Sequence, residues 1–476
     1  MTEVPFPTAD RAAARVLGSV LRRLGYDEDG ICGLLGDEAY GGNVEDVPVH
    51  ERRLPQTHLA TAIRLLFLER PVSKDEAGRA LGARAVEALE ATGLAEVGDE
   101  VVPRGRVTAI GDLLLASDGY SRGQADPPDY VATYSPTARL CDLLTPRARA
   151  ARTLDVGTGN GIHALLAARH SEEVVATDVN PRALAFTELN AGLNALDNIE
   201  CRAGSLFEPV ADERFDLVTC NAPYVVSPER RWAYRDAGLP ADGVSERVVA
   251  EAAEHLGPKG YAALLVSWVA SDADAPHDRA VAWVEATGCS GWVLPVFGSD
   301  PLDHAAGWNS ELDGDREAFG AAVDRWTDYL AGLGIRWISE GAVLLHRGRG
   351  RPTVRVDEVD DDSLDAADRQ VRRAFAARAR LAELRGNDGL LDLRMAPVAA
   401  LRVETDLAPR RRPTTRIHLA EGTQPVVEVP EEVAQLVVSL DGRTTLRRAI
   451  AVRGLAQAPV LRLARGLLEV GALRIR

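Results

Sequence analysis

An α/β protein with a parallel sheet at its centre and a small helix-rich module at each end is the fold class this sequence predicts. Three observations carry that reading. From Ala151 to Val269, short apolar runs alternate with stretches of helical periodicity, the pattern of repeated β-α units covered on both faces. The first of those strands ends in a turn holding three glycines. Charge is also uneven: −7 over residues 1–118, −13 over 119–350 and +4 over 351–476. A Pro- and Asp-rich stretch (121–130) and an arginine run meeting an acidic run (347–363) read as linkers at the two cuts. The expected organisation is three domains, 1–118, 119–350 and 351–476, which suits a chain of 476 residues at roughly 150 per domain.

In the N-terminal part, Ala60 to Leu68 is an apolar helical run, and Ser73 with Glu76 matches a capping box that opens the next helix. Arg84 to Leu94 places Val86, Leu89 and Leu94 on or near one face, Gly93 closes it, and short strands follow around Val101 and Leu113–Leu115. Helix, helix, helix, wing is a winged-helix order. With its net negative charge and a lone Arg84 on the third helix, packing or a homodimer contact is favoured over DNA binding.

The middle then gives strands at Thr153–Gly157, Glu173–Asp178, Ile199–Ala203, Phe215–Cys220 and Tyr261–Trp268. Helices are expected at Ile162–Arg169, at Pro181–Leu193 with proline in its first turn, and at Ser245–Leu256. Asp300 to Gly334, holding Trp308, Trp326 and Tyr329, reads as an insertion between the last two strands, near Val296 and Val343. It either narrows a substrate pocket or packs as a helix. In the tail, Glu431–Leu440, Thr445–Ala451 and Val460–Val470 read as helices and Gly471–Arg476 as a closing strand. Arg443, Arg447, Arg448, Arg462 and Arg465 are candidates for one basic surface there. A short LDG-type pattern loosely resembles the winged-helix modules that hold peptide leaders beside modifying enzymes, but a structural cap is the favoured reading.

Composition narrows the function. A formal charge of −16 disfavours nucleic acid and anionic lipid as partners. The two lysines, Lys74 and Lys259, stand beside 53 arginines, which we read as the imprint of a GC-rich genome. No stretch reaches the ~18 apolar residues of a membrane span, and the start lacks a signal-peptide profile. Five scattered cysteines without CxxC argue against a disulfide framework or a zinc ribbon and fit a reducing cytoplasm. The histidines show no metal-ligand spacing, so no metal is expected.

The chemistry gathers at strand ends. Asp155-Val-Gly157-Thr-Gly159-Asn-Gly161 allows a tight turn and close backbone approach to a ligand. A dinucleotide fingerprint needs glycine where Ile162 stands, and a P-loop needs a lysine after glycine, which neither lysine satisfies. A GxGxG turn led by an acidic residue suits a ligand with an amino acid moiety and no phosphates. The second strand ends in Asp178, where a carboxylate can accept both ribose hydroxyls. His163, just after the glycines, is read as an ordinary helix-terminal histidine in preference to a general base.

Over about residues 130–300 the chain resembles the class I S-adenosyl-L-methionine (SAM) methyltransferases. Asp155 to Gly161 is similar to their first motif and Ala176-Thr-Asp178-Val-Asn180 to their second acidic strand end. Gly204-Ser-Leu-Phe-Glu-Pro209 resembles a GDLFEP segment, with Ser205 where an acidic residue usually faces the adenine amine. Asn221-Ala-Pro-Tyr224, extended by Val225-Val-Ser-Pro228, resembles the NPPY motif of the HemK/PrmC-type glutamine methyltransferases and their relatives acting on nucleobase amines. The resemblance implies a Rossmann-like sheet of seven strands, here flanked by small winged-helix-like N- and C-terminal domains. It implies SAM as cofactor, held by Asp155, Gly157, Gly159, Gly161, Asp178, Ser205 and Asn221, with Asn221 and Tyr224 catalytic.

The NPPY motif has a physical logic. A planar amide nitrogen is a poor nucleophile because resonance ties up its lone pair. The Asn221 side-chain oxygen and the Ala222 carbonyl can accept its two N–H protons and orient it, while Tyr224 stacks on the plane. Alanine at 222 keeps the carbonyl but loses the rigidity of proline. With Pro223, the segment Glu229–Asp236 gives further substrate candidates, Trp232, Tyr234 and Arg235 in a lid, against the alternative of an anchored surface loop. The expected function is N-methylation of a planar amide or amine on a protein or peptide. A small-molecule methyltransferase and a non-catalytic SAM-binding module are the alternatives.

Overall fold

The structure, a computed structural model, describes residues 6–40, 44–121, 126–221, 223–229, 239–312, 314–359, 364, 366–384, 386–398, 401–406, 414–419, 421–423 and 427–476. Its centre is an eight-stranded sheet. The strands are β1 (Ala150–Val156), β2 (Ser171–Asp178), β3 (Ile199–Ala203), β4 (Phe215–Cys220), β5 (Leu256–Ala270), β6 (Ser290–Ser299), β7 (Trp337–His346) and β8 (Val354–Val356). Their spatial order is β8-β6-β7-β5-β4-β1-β2-β3. The β1–β5 pairings are parallel, and β7 runs antiparallel between β5 and β6. The expected count of seven is corrected to eight because Val354–Val356 adds itself, parallel, to the outer edge of β6. The sheet therefore continues past residue 350.

Side-chain alternation decides what covers each face of the sheet. Ala262, Leu264 and Val266 of β5, with Val343 and Leu345 of β7, pack on helices Gly243–His255 and Asp278–Thr287. Ala263 and Leu265, with Trp292 and Leu344, face helix Ala367–Glu383 of the C-terminal part, including Val371 and Phe375. Arg378 is buried in that seam, its guanidinium 4.6 Å from the Trp292 ring and donating to the Glu469 carbonyl at 2.7 Å. Burial pushes it down to about 10.

The N-terminal part shares a core with the sheet's helices. Leu17, Leu21, Phe67 and Val86 cluster with Phe186 and Leu189 of helix Pro181–Leu193. Helix Arg11–Arg23, absent from the sequence reading, lies against that helix through Arg11–Glu188 and through Arg22 to the Leu193 carbonyl. The Ser73 hydroxyl accepts from the Glu76 N–H as expected, but the Glu76 carboxylate turns to Arg64 and Thr61 instead of closing the box. The hairpin Arg106–Ile110/Leu113–Ser117 offers its edge to Asn190 of helix Pro181–Leu193 and to Asn194, which caps that helix. Asn190 exchanges hydrogen bonds with the backbone of Ala116 (2.7 and 2.9 Å), and Asn194 does so with Leu114 (2.9 and 2.6 Å). No helix among the described residues is long and apolar enough to cross a membrane.

Candidate active site

The chain leaves β1 through three glycines with positive φ, at 66°, 55° and 86° for Gly157, Gly159 and Gly161. They do different work. A side chain at Gly159 would meet no protein atom within 4 Å, so its space is left to a ligand. At Gly161 a Cβ would stand 2.9 Å from both Thr187 Cγ2 and Oγ1, so this glycine serves helix packing. Two carboxylates fix the turn. Asp155, 1% exposed, accepts from Thr158 Oγ1 at 2.7 Å and from Thr219 Oγ1 at 2.8 Å. Burial pushes its carboxyl up to about 6 against those hydroxyls, which pull it down. Asp178 accepts from the Gly159 N–H at 2.9 Å on one oxygen and from the Asn180 N–H at 2.8 Å on the other. Burial also raises Asp178, opposed by these backbone donors.

Beyond the strand ends lies a cavity of about 630 Å³. It brings together Gly157, Gly159, Asp178, Ser205, Asn221, Pro223 and Tyr224 of the expected set. Asp155 and Gly161 are not among the residues that line it: the first braces the turn through Thr158, the second leaves room for Thr187. Ala222, Trp232, Tyr234 and Arg235 lie outside the described residues. The walls fit SAM on this chain's own chemistry. Asp178 keeps lone pairs free for ribose hydroxyls after accepting one N–H per oxygen, and the gap over Gly159 admits close contact.

At the other end, Asn221 makes no side-chain hydrogen bond with another described residue, so its amide is open to a ligand. The Tyr224 carbonyl accepts from Ser267 Oγ at 2.5 Å, which fixes the loop to β5. Burial, reinforced by nearby Glu340, holds the Tyr224 phenol well above its usual range, so it stays protonated. Two insertion helices, Pro301–Trp308 and Arg316–Gly332, clamp the segment that follows. Val225 packs with Ala305 and Trp326, and Val226 with Leu330 and Ile338. Glu229 accepts from Arg325 Nη2 at 2.6 Å, and His304 Nε2 lies 3.0 Å from the Val226 carbonyl.

Sequence reasoning missed several wall residues. Tyr130, the last residue of the stretch read as a linker, and Val131 and Ala132 after it line the cavity, and the Ala132 carbonyl accepts from Asn160 Nδ2 at 2.8 Å. No residue pattern marked them. His163 also reaches the wall. It is 6% exposed, burial lowers it to about 4, and its Nε2 finds no hydrogen-bond partner. Among the described residues no group of three or more histidine, cysteine or acidic side chains gathers as a metal site would.

Comparison with known proteins agrees with this geometry. The methyltransferase small domain family matches residues 135–270, and a domain family of unknown function (DUF7059) matches 23–105. A ribosomal protein uL3 glutamine methyltransferase of Bradyrhizobium diazoefficiens is 31% identical over 173 residues, 34% of this chain and 48% of that protein. A release factor glutamine methyltransferase of Geobacter sulfurreducens is 34% identical over 125 residues, 24% of this chain and 44% of its own. Another, of Deinococcus radiodurans, is 38% identical over 121 residues, covering 23% and 43%. The chain thus spans less than half the length of each of these curated relatives. Sheet order and glycine turn agree with the match of residues 135–270 to the methyltransferase small domain family, a span similar to the HemK/PrmC-type class I methyltransferases.

Proposed function

We propose that the protein methylates a planar amide or amine nitrogen on a protein or peptide, with SAM as donor. One observation carries the reading: Asn221, Pro223 and Tyr224 border the same cavity as Gly157, Gly159 and Asp178. Bound SAM supplies an electrophilic methyl group on a sulfonium sulfur. Asp178 would hold the ribose, and the turn at Gly159 would lie against the amino acid part. Asn221 would accept an N–H of the substrate amide, and the Ala222 carbonyl the other. That orients the nitrogen lone pair and favours positive charge as it forms. Tyr224, neutral and fixed through its carbonyl, would stack on the amide plane. The insertion helices supply the rigidity that alanine at 222 forgoes. Relatives named for methylating glutamines of release factors and ribosomal proteins support a protein acceptor.

The terminal parts fit supporting roles. Helix His58–Leu66, strand Val72–Ser73, helices Lys74–Leu81 and Ala83–Ala91 and the hairpin Ala95–Pro103 follow winged-helix order, with the first strand paired to the third. The helix that would enter a groove carries Arg84 with Glu87 and Glu90, which favours packing over nucleic acid. The C-terminal helices Glu431–Val438, Leu446–Arg453 and Gln457–Glu469 with strand Leu473–Ile475 make a similar outline. We place the domain cuts near residue 118 and after Val356. A homodimer through the N-terminal part would have to use a face other than the one on helix Pro181–Leu193; sedimentation velocity decides it. All five cysteines are free, which supports the cytoplasm.

The decisive test is release of S-adenosylhomocysteine on adding size-fractionated cell extract. Turnover with the macromolecular fraction is the expected result. Turnover with the small fraction alone would make this a small-molecule enzyme, and SAM binding without turnover in either would make it a sensor.

A further inference from the structure

The acceptor end of the cavity includes a side chain outside the NPPY-like motif. Helix Pro301–Trp308 carries Trp308 to the same cavity wall as Tyr224 and Val225. The indole is held in place. Its Nε1–H donates to Glu340 Oε1 at 3.1 Å, and Glu340 stands on β7. His304, one turn earlier on the helix, has Nδ1 3.7 Å from that same oxygen while Nε2 lies 3.0 Å from the Val226 carbonyl. A carbonyl oxygen only accepts, so Nε2 carries the proton and the ring is locked to the motif loop.

The sheet register ties the two aromatic residues together. Glu340 is the direct cross-strand partner of Ser267, so both side chains leave the sheet on one face. Glu340 holds the Trp308 ring, and Ser267 holds the Tyr224 carbonyl. Two neighbouring side chains on two strands thus set two aromatic residues of one wall. A flat amide gains most from aromatic faces fixed before it arrives, since no rotamer entropy is then lost on binding.

We propose that Trp308 is a specificity-determining residue of the acceptor site, an aromatic wall that acts with Tyr224 on an uncharged amide-bearing side chain, with Glu340 as its positioning residue. This rests on the methyl-transfer reading above. The cofactor contacts at Gly159 and Asp178 belong to other strand ends, so the two halves of the cavity can be tested apart.

The full-length protein, labelled with 5-fluorotryptophan and loaded with S-adenosylhomocysteine, is titrated with N-acetylglutamine N-methylamide while fluorine resonances are followed. The Trp308 resonance, identified by its loss in Trp308→Phe, is expected to move and saturate. In SAM-dependent turnover of the same probe, Trp308→Ala should raise KM tenfold or more, with SAM affinity within twofold of the parent. Trp308→Phe should fall between. Glu340→Gln should stay near the parent, because its amide oxygen still accepts the indole N–H, whereas Glu340→Ala should follow Trp308→Ala. A Trp308 resonance that ignores the probe, or an unchanged KM in Trp308→Ala, overturns the proposal. A parent protein that fails to bind SAM at all brings down the methyl-transfer reading and this one with it, and shows itself before any amide is added.

Discussion

At the scale of single residues, three carboxyl and amide groups divide the chemistry. Asp178 offers its remaining lone pairs to a ligand while holding the Gly159 and Asn180 N–H groups. Asp178→Ala should therefore weaken SAM binding by about 1.5–3 kcal/mol, the scale of hydrogen bonds to a charged group. Unchanged affinity by calorimetry would remove it from the cofactor site. On the proposed reading Asn221 meets the acceptor more than the cofactor, so Asn221→Ala should leave SAM affinity nearly intact and lower turnover by about 10²-fold. If Tyr224 stacks on the acceptor as proposed, Tyr224→Phe should be mild and Tyr224→Ala severe, since the phenol keeps its proton. Equal damage from both would mean a proton-transfer role for the hydroxyl. Asp155 predicts a pH effect. Its carboxyl is raised from 3.8 to about 6, so between those values the folded chain keeps a proton that the unfolded chain releases. Its contribution is thus full at low pH and is lost as pH rises through about 6, by roughly 3 kcal/mol at one pKa unit per 1.36 kcal/mol. Asp155→Asn keeps a hydrogen-bonding partner for the two threonines and carries no charge. Its melting temperature relative to the parent should climb between pH 4 and 7, and a flat difference would disprove the burial cause.

At the scale of elements, the segment between β6 and β7 braces this site. Ser299 and Ile338 are already paired across those strands, so a short glycine-containing turn can replace what lies between. Such a replacement should retain SAM binding and lose turnover by about 10²-fold or more, because Val225, Val226 and Glu229 lose their clamp. Retained turnover would show that the loop stands by itself. How much of this was legible depended on the kind of signal. Strands β3 and β4 and helix Pro181–Leu193 fall where alternating apolar runs and a first-turn proline put them. The insertion was visible as a length between strands, but nothing in Trp308 says that it reaches a cavity. Helix Ala367–Glu383 was missed although Val371, Ala374, Phe375 and Leu381 recur at helical spacing, because buried Gln370 and Arg378 interrupt that face. The bracing of the turn by Asp155 and the close approach of Thr187 to Gly161 were not legible, because a motif gives residue types, not which side of the turn each one faces.

At the scale of the whole molecule, Asn190 joins parts that the sequence sets 74 residues apart. Its side-chain amide holds both backbone groups of Ala116 and, at 2.8 Å, the carbonyl of Asn160 inside the glycine turn. Arg182 adds a bidentate pair to Asp118 at 2.5 and 2.8 Å from the same helix. The N-terminal part and the cofactor turn therefore meet in one helix, with a single buried side chain touching both. Asn190→Ala should cost several kcal/mol, since it strands three buried backbone groups at about 1–3 each, and chemical denaturation measures that. The link also has a thermodynamic direction. Whatever free energy closure of the hairpin edge at Ala116 adds to nucleoside binding must appear, by reciprocity, as tighter closure of that edge when the ligand is bound. Adding SAM should slow hydrogen exchange of the Ala116 amide more than that of Leu114, whose partner Asn194 does not touch the turn. The hairpin edge at Ala116 would then be a gauge of cofactor occupancy, its breathing set by how much SAM the cell holds.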